Sequence, residues 1–139
     1  MSFLPALVGV VLALAVAIFA RVVGLDRDRA FYPVVMIVIA SYYDLFAIMG
    51  GGAALIPETV GFVLFTAAAA IGFRTSLWIV VAALATHGLF DFFHHALVGN
   101  PGVPTWWPSW CLAYDVAAAA CLAALMLKGC VNARATPLA

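Results

Sequence analysis

Charge is what this sequence has least of: six Lys and Arg balance six Asp and Glu in 139 residues. So few charged side chains cannot cover the exterior of a water-soluble domain of this length. The neutral balance, with no basic stripe or interleaved aromatics, excludes nucleic acid as a partner. Cysteine is scarce as well. Cys111, Cys121 and Cys130 are odd in number, so they cannot all pair within the chain, and their spacing fits no zinc motif. They read as free apolar thiols. Histidine is absent everywhere except between Thr86 and His95, and neither an internal repeat nor a second domain interrupts residues 1–139.

What the chain does have is hydrophobic length. Apolar residues make up 68% of it and the mean hydropathy is +1.19, which assigns it to the lipid bilayer. The expectation is an all-α integral membrane fold, a bundle of five transmembrane helices spanning about 3–23, 30–49, 57–73, 76–97 and 105–128. The first run has no Lys or Arg before it, exceeds the usual core of a secretion signal, and is followed by the charged turn Leu25 to Arg29, so it should remain as a helix. Gly50 to Gly52 closes the second helix, and Pro57-Glu58 opens the third with a carboxylate at the positive end of the helix dipole. The turn-rich stretch Val98 to Pro104 separates the fourth helix from the fifth.

Basic residues sharpen this expectation, because Lys and Arg in short loops collect on the cytoplasmic side. With five crossings, Arg21, Arg27, Arg29, Arg74, Lys128 and Arg134 all fall on one side. That pattern places the N-terminus outside and the C-terminus in the cytoplasm, with a bacterial inner membrane as the expected location. Trp106, Trp107 and Trp110 would then form an outer aromatic belt. Asp26 and Asp28 read as solvated partners of the inner arginines. Asp44, Glu58, Asp91 and Asp115 fall in the outer halves of four helices, together with His87, His94 and His95.

A helix turns by ~100° per residue, so His87, Asp91, His94 and His95 share one arc of about 100°, with His95 at its edge. An ionised carboxylate in hydrocarbon costs at least ~2.5 kcal/mol, so Asp44, Asp91 and Asp115 should face the bundle interior and find partners. Imidazole and carboxylate spaced i, i+3 and i+4 are metal-ligand chemistry. His87, Asp91, His94 and His95 would be ligands from one helix, with Asp44 or Asp115 from a neighbour. The set suits zinc or iron, and also copper or manganese. Asp91, Asp44 and Asp115 are the candidates for a catalytic carboxylate. Haem bound between two histidines is not expected, since all the histidines lie on one helix. Tyr43 could lend a hydroxyl, although an interfacial tyrosine is the simpler reading. Cys111 could be a soft ligand, an inert thiol being simpler, and Glu58 reads first as a dipole partner near the surface.

His87-x3-Asp91-x2-His94-His95, followed by Gly99-Asn100-Pro101, Pro104, Pro108-Ser109, Cys111 and Asp115, resembles a family of small bacterial multi-pass membrane proteins of unknown function. The resemblance covers residues 86–115 and implies the multi-pass fold without an activity. A fainter likeness joins the His-His pair to the histidine boxes of membrane desaturases and hydroxylases. Those enzymes need several boxes on different segments, and this chain has one.

Three functions fit these residues. The first is a metal site, serving a metal-dependent enzyme on a lipid-like substrate or a metal-binding factor. The second is a proton or cation transporter or channel subunit. The third is a non-catalytic subunit of a homo-oligomer or larger membrane complex, with the polar cluster as a structural network.

Overall fold

The computed structural model describes residues 3–132. Five helices carry the chain: α1 (Phe3–Val23), α2 (Phe31–Met49), α3 (Leu55–Arg74), α4 (Leu77–Leu97) and α5 (Trp107–Leu127). Each is long and apolar enough to cross a membrane. Runs of Ala, Val, Leu and Ile favour this outcome, because a helix satisfies its own backbone hydrogen bonds where water is absent.

Local chemistry sets the breaks between helices. Gly51 and Gly52 both adopt positive φ, at 94° and 84°, after the close of α2; that conformation suits glycine. Helix α3 starts at Leu55, two residues before the expected Pro57. Proline fits the first turn because N–H groups there have no intrahelical acceptor.

Helix α1 packs along α5, α5 along α4, and α4 along α3, which in turn packs along α2; α2 also touches α4. Helix α1 buries only Gly9, Ala13 and Ala20, small residues that allow a close approach of two backbones. A Cβ on Gly9 would run into the Trp110 carbonyl. Early α1 therefore lies beside early α5, and the two helices run parallel.

The two ends of the bundle differ in chemistry. At one end Arg21 pairs with Asp26 at 3.6 Å. Arg29 there donates to the carbonyls of Gly72 and Phe73, at 3.3 and 3.0 Å, and to that of Asn132. It thereby caps the C-terminus of α3. Partial burial lowers the Arg29 pKa from its ordinary value. Asp26 is 1% exposed, so it is not the solvated surface residue the charged turn suggested. Arg134 lies outside the described residues. At the opposite end, Gly50 of the α2–α3 turn meets Gly102 of the α4–α5 loop backbone to backbone. Trp107 is buried there against Tyr42 and Phe46, with ring centroids at 5.0 and 4.8 Å. Trp106 is exposed. Trp110 is half-buried, and the rings of Trp106, Trp107 and Trp110 contact one another, so the three form one aromatic cluster at this end with Trp107 on its core side.

Candidate metal centre

The buried stripe of α4 runs Leu77, Val80, Ala83, Leu84, His87, Gly88, Asp91 and His94. Apolar side chains fill its first half, and polar ones continue the same i, i+3, i+4 rhythm toward the loop end. On α5 the facing stripe includes Cys111, Tyr114, Asp115 and Ala118. Gly88 brings the two helices together: a Cβ there would lie 3.3 Å from both the Asp115 Cβ and the Leu112 carbonyl. Close backbone approach places Asp115 beside His87.

His87 Nδ1 and Asp115 Oδ2 are 2.6 Å apart, and Asp91 Oδ2 lies 3.4 Å from the same nitrogen. With Cys111, these residues offer four potential ligand atoms within 4.8 Å of one another, all from buried side chains. Asp91 Oδ1 accepts from the Tyr43 hydroxyl at 2.5 Å. Asp91 Oδ2 and Asp115 Oδ1 accept no hydrogen bond among the described residues.

A second cluster adjoins the first. His94 Nε2 donates to Glu58 Oε1 at 2.8 Å, and Asn100 Nδ2 donates to the same oxygen at 2.8 Å. Asn100 also reaches the Tyr43 carbonyl at 3.3 Å and accepts from the Gly102 N–H at 3.1 Å. The Tyr43 ring stacks on His94 with centroids 4.2 Å apart. Tyr43 therefore belongs to both clusters. Between them lies a cavity of about 10 Å³ lined by Tyr43, Glu58, Phe65, His87 and Phe90, among others, room for about one water.

The six ligands expected from the sequence thus separate. His87, Asp91 and Asp115 come together, whereas His94 binds Glu58 instead. Asp44 is part-exposed and accepts from Thr59 at 3.0 Å, away from the cluster. His95 is exposed, as its place at the edge of the arc allows. Cys111 joins the cluster although an inert thiol was the simpler reading. Glu58 is 2% exposed, so it is a buried hydrogen-bond partner, not a surface residue serving only the dipole. Tyr43 is likewise a core residue whose hydroxyl is used. Asn100 carried no expected role. Its signal in the sequence was an amide within a turn that follows a histidine-bearing helix, which does not reveal its partner.

The four side chains could hold a metal ion. One imidazole supplies at most one positive charge against two carboxylates, so the metal-free cluster holds an excess negative charge in a low-dielectric interior when both are ionised. A divalent cation balances the two carboxylates with the imidazole neutral, and it still offsets two of three negative charges when Cys111 binds as a thiolate. Tetrahedral ligands at 2.0–2.3 Å from zinc lie roughly 3.3–3.8 Å apart; the four ligand atoms here lie within 4.8 Å of one another. Imidazole, thiolate and carboxylate together are compatible with zinc or iron.

Comparisons of the chain with protein-family models, with curated proteins and with solved structures gave no match.

Proposed function

We infer that the protein is a five-span integral membrane protein that holds one divalent transition metal between α4 and α5 through His87, Asp91, Cys111 and Asp115. The carrying observation is the convergence of four buried ligand atoms within 4.8 Å, drawn from two helices. Support for embedding comes from five apolar helices and from the gathering of Arg21, Arg29 and Lys128 at one end of the bundle. By the positive-inside rule that end is cytoplasmic, with the N-terminus outside. A bacterial inner membrane accords with this arrangement.

The bound ion would supply positive charge to two buried carboxylates and join α4 to α5. The chain's own residues orient the ligands: Tyr43 holds Asp91 by its hydroxyl, and Gly88 holds the helices close. A cavity of about 10 Å³ admits no lipid substrate, so the closed form of the site favours a structural or storage role over catalysis.

Elemental analysis of detergent-purified protein tests this reading. Wild type should carry about one equivalent of metal, and His87→Ala and Asp115→Asn should each lose most of it. Wild type without stoichiometric metal, purified in the absence of chelators, would overturn it. A metal-free structural network is the second reading, favoured by the hydrogen bonds that His87 and Tyr43 already make to Asp115 and Asp91. That reading expects the same variants to lower thermal stability with no metal in any sample.

A further inference from the structure

The far end of the bundle contains a larger cavity that the metal reading does not use. It has a volume of about 430 Å³ and lies between α1, α5 and the turn that leads into α2, within the ~300–1,000 Å³ range of small-molecule sites. Its walls are of two kinds. Leu14, Ile18 and Leu125 form an apolar flank, and Arg21, Asp26 and Lys128 bring charge to one end.

Asp26 is the unusual member. It is 1% exposed, yet neither carboxylate oxygen accepts a hydrogen bond among the described residues. Arg21 faces it at 3.6 Å, close enough for ion pairing but too long for a hydrogen bond. Tyr32, 4% exposed, lines the same cavity with its hydroxyl also without a partner. Buried polar atoms normally find partners, so two unsatisfied side chains facing one cavity mark a place for a ligand that donates hydrogen bonds.

Arg21 and Lys128 add the opposite requirement. Arg21 is about half exposed and its only hydrogen bond among the described residues is a weak one to the Cys130 sulfur at 3.5 Å, so its guanidinium retains donors for an anion. A fitting ligand therefore has an anionic group, a cationic hydrogen-bond donor a few atoms away, and an apolar chain. Exposed Ile18 and Val22 leave the flank of the groove accessible from the side, where acyl chains lie if the bundle spans a bilayer.

We propose that this groove binds a phospholipid with a primary-amine headgroup. The phosphate is read by Arg21 and Lys128, the ammonium donates to Asp26, and one acyl chain runs along Leu14, Ile18 and Leu125. This rests on bilayer embedding as inferred above and is independent of metal binding.

The test is native mass spectrometry of full-length protein released from detergent, titrated separately with dioleoylphosphatidylethanolamine, dioleoylphosphatidylglycerol and inorganic phosphate. Wild type should take up the ethanolamine lipid at roughly tenfold lower concentration than the glycerol lipid, as expected for one charge-assisted hydrogen bond. Asp26→Asn should abolish the preference, by weakening uptake of the ethanolamine lipid relative to the glycerol lipid. Arg21→Gln should weaken uptake of both lipids. Equal uptake of the two lipids by wild type overturns the proposal without reference to any variant, and so does a preference that survives Asp26→Asn. If inorganic phosphate displaces the ethanolamine lipid at equal concentration, the ligand is a free anion and the lipid assignment fails. Should Asp26→Asn fail to fold, Tyr32→Phe replaces it: a smaller preference is expected, and an unchanged one counts against the site. Metal content measured in the same samples should be identical for wild type and the groove variants, which separates failure here from failure of the metal reading.

Discussion

Tyr43 and Asp91, 48 positions apart in sequence, meet in a buried hydrogen bond of 2.5 Å that ties α2 to α4. The same tyrosine stacks on His94 and accepts from Asn100 through its carbonyl. One side chain thus couples the proposed metal centre to the Glu58 cluster.

Tyr43→Phe should preserve the stacking and remove the hydroxyl. The Asp91 oxygen would be left buried without its donor, at a cost of about 1.5–3 kcal/mol. Thermal unfolding in detergent should register this loss. Metal affinity should fall roughly tenfold or more, because Tyr43 orients a ligand, while the metal-to-protein ratio at saturation stays unchanged.

Cys111 offers a spectroscopic test. Protein loaded with cobalt(II) should show a thiolate-to-metal charge-transfer band in the near ultraviolet. Cys111→Ser should lose that band and still bind cobalt through His87, Asp91 and Asp115. A wild-type spectrum without the band would remove Cys111 from the ligand set.

Asp44→Asn and His95→Ala should leave metal content at the wild-type level, since one carboxylate is engaged by Thr59 and the other side chain is exposed. Their effect on stability should be within about 0.5 kcal/mol. Loss of metal in either variant would show that the ligand set extends beyond the four residues assigned.

Gly102→Ala should destabilise the protein by about 2 kcal/mol, because the added Cβ would meet the Phe46 carbonyl. Gly99 has open space at the corresponding position, so Gly99→Ala in the same loop should be near neutral. Tryptophan fluorescence during heating compares the two.

The helices were legible because hydropathy needs only local sequence: Phe3–Val23 and Leu77–Leu97 are apolar runs bounded by turn chemistry. The pairing of polar residues was less legible. Asp44, Asp91 and Asp115 look alike along the chain, each a single acid in an apolar run, and helix rotation decides which of them turns inward. Asp91 and Asp115 share the α4–α5 seam that Gly88 tightens, whereas Asp44 follows Tyr43 and is rotated toward α3, where Thr59 binds it. His94 illustrates the same limit. It lies on the correct face, but one turn beyond Asp91 its neighbour is Glu58 on α3, not the cluster on α5. Rotation and depth of neighbouring helices are tertiary quantities, and spacing within α4 does not contain them.

The backbone contact between Gly50 and Gly102 has a kinetic consequence. The α2–α3 turn and the α4–α5 loop abut there without intervening side chains, and Asn100 of the loop also reaches the Tyr43 carbonyl of α2 at 3.3 Å. If the proposed centre binds an ion, one passing between these two segments would have to separate them on the way in and on the way out. Metal exchange through that end should accordingly be slow even where the equilibrium affinity is modest.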